Sequence, residues 1–217
     1  MPQIVPIEIH NYAAAHTKPL PPLLEELIRE TESKFADRAQ MLSGQVEGQF
    51  LRMLVAATGA QRVLEIGTFT GFSALMMASG LPSDGELVTL ELSAEHAQFA
   101  RSYIARSEDG GKIRLIEGPA LESLKTLRGP FDFAFIDADK TSYPAYTEWA
   151  AEHLRVGGVV ILDNALLFGE ICDQPRGDRA PSILGMRRAH EILARSGRFR
   201  ATMLPTGEGL AVGVKVK

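Results

Sequence analysis

The stretch Phe131-Asp132-Phe133-Ala134-Phe135-Ile136-Asp137-Ala138-Asp139-Lys140 joins an apolar run to a charged ending. Apart from Asp132 the run is apolar until Ile136, which is typical of a parallel strand that is covered on both faces. A second apolar run, Val159–Leu162, also ends in polar residues. Because ligands bind beyond the carboxyl ends of parallel strands, we expect the polar residues at both ends to share one rim: Asp137, Lys140, Asp163 and Asn164. Three oxygen-bearing side chains and an amine predict a metal site with a base beside it.

Segments typical of strands and of helices alternate from Arg62 onward. The strand-like segments are Arg62–Ile66, Glu86–Leu92, Lys112–Glu117, Phe131–Ile136 and Val159–Leu162. Helical patterns lie between and after them, at Phe72–Ser79, Ala94–Arg106, Leu121–Leu127, Tyr143–Leu154 and Ile183–Ser196. Alternation on this scale predicts right-handed crossovers and a parallel sheet.

Two further strand-like runs, Arg198–Leu204 and Leu210–Lys215, lie on either side of Pro205-Thr206-Gly207-Glu208-Gly209. A short turn of Pro and Gly residues is typical of a hairpin. We therefore predict an α/β fold with a seven-stranded, mostly parallel sheet that contains one antiparallel strand.

The N-terminal part of the chain has a different pattern. Leu20–Ala36 is predicted to be helical, with one apolar stripe and prolines that are tolerated in its first turn. We expect Ser43 to cap the next helix and Gly59 to end it. The whole chain is predicted to form a single domain in two parts, an N-terminal helical extension and an α/β core: residues 1–60 and 61–217.

Composition excludes several classes of protein. The 217 residues fit one large domain, and the net charge of −4 argues against nucleic acid as the main partner. Cys172 is the only cysteine, so an intramolecular disulfide and a thiolate-rich metal site are excluded. No apolar stretch reaches the ~18 residues of a membrane span, and the first residues lack a signal-peptide pattern. We expect a soluble, cytoplasmic protein.

The segment Val63-Leu64-Glu65-Ile66-Gly67-Thr68-Phe69-Thr70-Gly71 is predicted to be a strand, a tight turn and a helix start. Glycines in such a turn allow a nucleotide-like ligand to approach the backbone, although they can also serve only to bend the chain. Phe69 stands where the dinucleotide motif has its second glycine, which favours a nucleoside ligand without phosphates. Glu91 ends the second strand and could accept hydrogen bonds from both ribose hydroxyls. The turn and the acid together predict a nucleoside site.

With these motifs the chain resembles the class I S-adenosylmethionine-dependent O-methyltransferases. Within that class it is similar to the cation-dependent group that includes catechol and caffeoyl-CoA O-methyltransferases. The resemblance runs from about Tyr12 to the C-terminus, and its most specific pieces are Glu47–Leu51, Leu64–Ser73, Glu117–Ala120, Ile136–Lys140, Gly157–Asn164 and Pro205–Leu210. It implies a Rossmann-like methyltransferase fold with helices on both faces of the sheet, and a homodimer.

The resemblance also implies a binding site for S-adenosylmethionine. Its residues come from the N-terminal part, the glycine turn and the following strand ends: Met41, Ser43, Val46, Glu65, Gly67, Thr68, Ser73, Glu91 and Ala120. Glu91 would hold the ribose, and Ala120 would face the adenine through its backbone. Asp137 and Tyr146 are further candidates for contact with the cofactor.

For the chemistry, the resemblance implies that Asp137, Asp163 and Asn164 bind a divalent cation and that Lys140 is the general base beside it. Carboxylate and amide oxygens suit Mg²⁺, with Ca²⁺ or Mn²⁺ as substitutes. A cation would stabilise a phenolate and depress the pKa of a neighbouring lysine. We therefore expect methyl transfer to a hydroxyl of a catechol-like, vicinal dihydroxy aromatic, with Asp137 and Lys140 as the catalytic pair.

Other interpretations stay open from the sequence alone. Asp137 and Lys140 could form an ordinary surface ion pair, and Asp163-Asn164 could be a simple turn. An NAD-dependent oxidoreductase on a similar sheet is the alternative enzyme, although Phe69 and the lack of a Tyr-x-x-x-Lys pair speak against it. A degenerate methyltransferase fold that only binds ligands is the third. Leu167 stands where plant caffeoyl-CoA enzymes usually carry Trp, which speaks against a hydroxycinnamoyl-CoA acceptor.

Overall fold

The computed structural model describes residues 5–217. Its strands, in chain order, are β1 (Arg62–Ile66), β2 (Glu86–Glu91), β3 (Ile113–Glu117), β4 (Phe131–Ile136), β5 (Leu154–Leu162), β6 (Phe199–Leu204) and β7 (Leu210–Lys215). They form a seven-stranded sheet in the order β3-β2-β1-β4-β5-β7-β6. The pairs β1–β2, β2–β3 and β4–β5 are parallel, whereas β7 is antiparallel to both β5 and β6. The predicted mostly parallel sheet with one antiparallel strand is therefore confirmed.

The α-helices of the described residues are α1 (Ile7–Ala15), α2 (Pro22–Lys34), α3 (Gln45–Ala57), α4 (Phe72–Ala78), α5 (Ala94–Ile104), α6 (Ala120–Thr126), α7 (Tyr143–His153) and α8 (Ala180–Arg195). Short 3-10 turns lie at Lys140–Ser142 and Leu167–Cys172. Within residues 5–217, none of these helices combines the length and the apolar character of a membrane span. The predicted helices from Leu20 onward are confirmed to within a few residues at their ends.

The described residues form two compact units, one over His10–Ser123 and one over Leu124–Lys217 together with residues 5–9. These units do not test the predicted division into a helical extension and an α/β core, residues 1–60 and 61–217. That division stays a prediction.

In the first unit, α2 buries one stripe against aromatic and aliphatic side chains. The buried cluster consists of Leu24, Leu27, Phe35, Phe69, Phe72, Leu75, Met76, Phe99 and Tyr103. Pro22 occupies the first turn of α2, where a missing N–H costs no hydrogen bond. This cluster fixes α4 and the loop in front of it, so the turn after β1 has a rigid support.

The two ends of α3 differ in how well the sequence predicted them. Gly59 adopts a φ of 60° just beyond the helix, and its N–H donates to the carbonyl of Ala56, so the predicted glycine ending is confirmed. The predicted cap at Ser43 is wrong, because the N-cap residue is Gly44 and no side chain caps the helix. Ser43 lies one residue too early for its hydroxyl to reach the first free N–H groups.

In the second unit, β4 and β5 end in fully buried residues, which accounts for the two apolar runs in the sequence. β5 begins at Leu154, earlier than the predicted Val159. On α8, a Cβ added to Gly185 would overlap the carbonyl oxygen of Lys140. Glycine at this position therefore lets α8 pack directly on the turn that carries Lys140.

Candidate active site

The glycine turn, Gly67–Gly71, connects β1 to α4 through a strained residue. Phe69 has a φ of 49°, the left-handed region that a side chain makes unfavourable by about 1–2 kcal/mol. Its N–H donates to Oε2 of Glu91 at 2.7 Å, and its buried ring lies 4.8 Å from the ring of His96. A charge-assisted hydrogen bond and ring packing thus stabilise a conformation that a glycine would adopt without strain.

Glu91 is fixed at the end of β2 by backbone donors. It is 7% exposed; Oε1 accepts from the N–H of Ser93 at 2.8 Å, and Oε2 accepts from the N–H of Phe69. The Nδ1 atom of His96 lies 3.4 Å from Oε1. Oε2 keeps one further accepting direction, so Glu91 can still bind a ligand hydroxyl. Its predicted contact with ribose stays a prediction.

Glu65 on β1 binds neighbouring hydroxyls. Its carboxylate has no exposed surface and accepts from Ser73 Oγ at 2.6 Å and from Thr89 Oγ1 at 2.5 Å. Thr68 Oγ1 in turn contacts Thr89 Oγ1. The structure therefore brings Glu65, Thr68 and Ser73 into one network, as buried carboxylates require donors. Their roles toward a cofactor stay predictions.

The other predicted cofactor residues lie on two helix starts. Met41 is exposed, Ser43 and Val46 are half-buried, and all three lie just before or at the start of α3. Ala120 opens α6 after Gly118, whose N–H donates to the carbonyl of Glu91 at 2.8 Å. The backbone of Gly118 is thus anchored to the end of β2, two residues before Ala120.

Parallel pairing of β4 and β5 brings the second group of predicted residues together. Ile136 pairs with Leu162 at the last position of the register, so Asp137 and Asp163 follow side by side. The N–H of Asp163 donates to the carbonyl of Ile136 at 3.0 Å. Together with nearby polar side chains they form what we name the acid–lysine cluster: Asp137, Lys140, Tyr143, Asp163, Asn164 and Glu208.

Lys140 is held between a carboxylate and a phenol. Its Nζ donates to Asp137 Oδ1 at 2.8 Å and to the hydroxyl of Tyr143 at 2.7 Å. The Tyr143 hydroxyl is buried and donates toward the carbonyls of Ile136 at 3.0 Å and Asp163 at 3.2 Å. Tyr143 thereby connects the lysine to the ends of both strands. This role of Tyr143 was not predicted from the sequence, although Lys140 and Tyr143 lie one helical turn apart.

The charges of the cluster determine the protonation of Lys140. Burial acts to lower its pKa, but the carboxylates of Asp137 and Asp163 and the Tyr143 hydroxyl outweigh burial, and the net pKa lies above its ordinary value. Burial raises the pKa of Tyr143 above its ordinary value, so the phenol is neutral near pH 7. The depressed lysine pKa expected from the sequence requires the charge of a bound cation and stays a prediction.

Asn164 directs its amide nitrogen toward two carboxylates. It has a φ of 51°, a conformation that asparagine tolerates better than most residues, and its backbone N–H donates to Asp163 Oδ1 at 2.6 Å. Its Nδ2 donates to Glu208 Oε2 at 2.7 Å and lies 3.4 Å from Asp163 Oδ2. The nitrogen is therefore engaged, and the amide oxygen is the atom that remains for another ligand.

Oxygen donors in this cluster fit a hard divalent cation. In the described part of the chain, no group of three or more His, Cys, Asp or Glu side chains is arranged to hold a metal ion. A cation site here therefore needs the Asn164 amide oxygen as a ligand beside the carboxylates of Asp137 and Asp163. That is the predicted set, and its chemistry suits Mg²⁺ rather than a metal that prefers nitrogen or sulfur.

Glu208 is a member of the cluster that was not predicted from the sequence. It lies in the turn between β6 and β7, and burial and the charge of Asp137 raise its pKa to about 7, against the opposing effects of Lys140 and Asn164. The signal available in the sequence was an acid between two glycines in a turn. Without the β5–β7 pairing, nothing linked that turn to Asn164.

The Tyr146 side chain forms its hydrogen bond within its own unit. Its buried hydroxyl donates to Asp139 Oδ2 at 2.7 Å, and Asp139 Oδ1 accepts from the N–H of Ser142 at 3.0 Å. Asp139 thus caps the turn that contains Lys140. The predicted approach of Tyr146 to the cofactor stays a prediction.

Comparison with known proteins supplies the family. The sequence profile of the O-methyltransferase family matches residues 14–216. The chain is 32% identical over 213 residues to the probable caffeoyl-CoA O-methyltransferase 1 of Dictyostelium discoideum, covering 96% of this chain and 92% of that protein. It is 39% identical over 161 residues to the catechol O-methyltransferase of Mycobacterium tuberculosis, covering 74% and 72% of the two chains.

Solved structures agree with this assignment. The crystal structure of the O-methyltransferase from Bacillus cereus in complex with SAH superposes with a TM-score of 0.87 and 38% sequence identity. The superposition covers 96% of this chain and 97% of that chain. Together with the sheet topology, these matches establish that the chain belongs to the O-methyltransferase family.

Proposed function

We propose that this protein is an S-adenosylmethionine-dependent and cation-dependent O-methyltransferase that acts on a catechol-like, vicinal dihydroxy aromatic. The observation that carries the proposal is the acid–lysine cluster, in which Lys140 Nζ lies 2.8 Å from Asp137 Oδ1 beside Asp163 and Asn164. A simple surface ion pair would be exposed, whereas the Lys140 and Asp137 side chains are 17% and 23% exposed. The names of the relatives, which include catechol and caffeoyl-CoA O-methyltransferases, support the acceptor class.

Cofactor binding is assigned to the unit that carries the glycine turn. When bound, S-adenosylmethionine supplies a methyl group on an activated sulfonium. Glu91 would accept hydrogen bonds from the ribose hydroxyls, and Phe69, whose N–H holds Glu91, stands where a dinucleotide site would need a glycine. The bound SAH in the Bacillus cereus relative supports this choice of cofactor over NAD.

Replacing Glu91 with glutamine tests this assignment. We expect the Kd for S-adenosylhomocysteine to rise about 10- to 100-fold, because hydrogen bonds to a charged group contribute about 1.5–3 kcal/mol. Isothermal titration calorimetry on the full chain measures the change, with Glu95→Gln on the exposed start of α5 as the matched control. Equal affinity in wild type and Glu91→Gln, or tighter binding of NAD than of S-adenosylhomocysteine, contradicts the assignment.

The second unit prepares the acceptor hydroxyl. A divalent cation held by Asp137, Asp163 and Asn164 would stabilise the anionic form of that hydroxyl. Lys140 accepts the proton at Nζ once it is present as the neutral amine, and Asp137 and Tyr143 hold Nζ in place. Positioning and electrostatic stabilisation are the contributions that this geometry can make to the rate.

The acceptor is assigned from the loop that follows Asp163 and Asn164, just beyond the end of β5. Leu167 and Phe168 adopt left-handed φ values of 48° and 55°, and Gly169 continues at 94°. Leu167 is buried at 2% exposure, so it cannot serve as the exposed aromatic wall that Trp supplies in plant caffeoyl-CoA enzymes. We therefore favour a small catechol over a hydroxycinnamoyl-CoA thioester.

A panel of acceptors with labelled S-adenosylmethionine tests the proposed function. We expect methyl transfer to catechols and at least about 100-fold lower rates with matched monohydroxy phenols, because a single hydroxyl cannot chelate the cation. Product formation is measured by mass spectrometry at saturating Mg²⁺. Equal rates with phenols and catechols contradict the proposed vicinal diol, and absence of transfer to every hydroxyl acceptor favours a binding module.

A further inference from the structure

We propose that Glu208 is a positioning residue that orients the Asn164 amide, so that its oxygen and not its nitrogen is presented to the divalent cation. This inference rests on the proposed cation site, and it assigns to Glu208 a role that the sequence did not suggest.

An asparagine amide has two chemically different ends of nearly equal size, and only the oxygen can bind a cation. A carboxyl oxygen that carries no proton can accept a hydrogen bond but cannot donate one, so such an oxygen beside the amide selects the nitrogen end. Glu208 Oε2 lies 2.7 Å from Asn164 Nδ2, and Asp163 Oδ2 lies at 3.4 Å. The shorter hydrogen bond is the one that Glu208 Oε2 accepts from Asn164 Nδ2, and it sets the orientation.

Glu208 is itself fixed by the backbone. The N–H of Leu166 donates to the carbonyl of Glu208 at 2.9 Å, and the N–H of Ala165 donates to the carbonyl of Gly209 at 2.8 Å. Gly209 has a φ of 88°, and a Cβ there would lie 2.5 Å from Leu166 Cγ. The turn between β6 and β7 is thus bound to the loop after Asn164, so the carboxylate is held where the amide needs it.

Support of this kind has a known magnitude. Residues that orient a metal ligand typically contribute 10- to 100-fold to metal affinity, although they do not touch the metal. Glu208 is placed to orient a ligand in this way, because its carboxylate contacts the nitrogen of the Asn164 amide, Nδ2. A direct ligand role for the Glu208 carboxylate is the competing explanation, and substitution separates the two.

Mn²⁺ titration of the full chain, followed by electron paramagnetic resonance, tests the proposal without relying on activity. We expect Glu208→Ala to raise the Kd for Mn²⁺ about 10- to 100-fold. Glu208→Gln is expected to weaken Mn²⁺ binding less than Glu208→Ala does, because its amide oxygen can still accept from Asn164 Nδ2. Glu191→Ala, which removes an exposed carboxylate from α8, is the matched control and is expected to leave the Kd unchanged.

A double substitution sharpens the test. In an Asn164→Asp background, an oxygen faces the cation in either orientation of the side chain, so Glu208→Ala should no longer weaken Mn²⁺ binding. The difference between the two backgrounds measures the coupling between the residues directly. Thermal unfolding of each variant verifies that the fold is retained.

Each outcome decides the proposal. A Kd for Glu208→Ala equal to wild type overturns it, and so does Glu208→Gln weakening as much as Glu208→Ala, which would indicate direct ligation or charge. An effect of Glu208→Ala on the Kd for Mn²⁺ that is as large in the Asn164→Asp background as in wild type also overturns it. Failure of the underlying cation site has a different signature: wild type and Asp163→Ala would then show the same weak Mn²⁺ binding.

Discussion

Replacing Lys140 with methionine is expected to lower turnover about 10²- to 10⁴-fold, while the Kd for S-adenosylmethionine changes less than about threefold. Methionine keeps an unbranched chain of similar length but cannot accept a proton. Lys140 Nζ contacts Asp137 Oδ1 and the Tyr143 hydroxyl, so the substitution removes the proton acceptor and leaves the unit that carries the glycine turn unchanged. In free energy the loss corresponds to about 2.7–5.5 kcal/mol of transition-state stabilisation.

The measurement is steady-state methyl transfer at saturating Mg²⁺ and catechol, with cofactor affinity from calorimetry. Lys125→Met, at an exposed position on α6, is the matched control. Saturating Mg²⁺ is needed because the loss of a positive charge beside Asp137 also changes cation affinity. A Lys140→Met variant with the wild-type rate would remove Lys140 as the base, whereas a loss confined to KM would assign it to acceptor binding.

Removal of the divalent cation should have an effect of similar size. In excess chelator we expect turnover to fall at least about 100-fold and to recover when Mg²⁺ is added, because the acceptor hydroxyl then lacks its electrostatic stabilisation. Asp163→Ala should reproduce the loss in the presence of Mg²⁺. Asp163 is 4% exposed, and its Oδ1 accepts from the Asn164 N–H at 2.6 Å. Its removal therefore takes away one proposed cation ligand and also the acceptor of the Asn164 N–H.

Asp178→Ala, in an exposed loop of the same unit, controls for the loss of one negative charge. Circular dichroism of Asp163→Ala verifies that the chain is folded. Full activity in chelator would exclude the cation from the reaction and would leave Lys140 as the only means of activating the hydroxyl.

The strand ends were the most predictable part of the molecule. Asp137 and Asp163 follow apolar runs, and parallel pairing brings such ends to one edge, so the sequence was sufficient to place them together. Glu91 and the glycine turn were predictable for the same reason. These inferences need only the pattern of apolar residues along the sequence and the parallel direction of the strands.

Other features depend on contacts that no local pattern encodes. The helix α1 was not predicted, since none of its residues is buried and its apolar positions form no stripe. The first half of β5 was missed because Val156 and Gly157 are exposed, and the register with β4 is irregular between Phe131 and Phe133. Glu208 is 44 residues from its partner Asn164, which is why it read only as part of a turn.

The reversed direction of β7 has a consequence for biosynthesis. Because β7 runs against β5, the hairpin turn that precedes it returns to Asn164, so the acid–lysine cluster draws on residues from 137 to 208. A nascent chain that emerges from the ribosome in N-to-C order acquires Lys140 and both aspartates well before Glu208. Assembly of the cluster is therefore delayed until the turn between β6 and β7 has been synthesised, and chains released before Glu208 are expected to lack it.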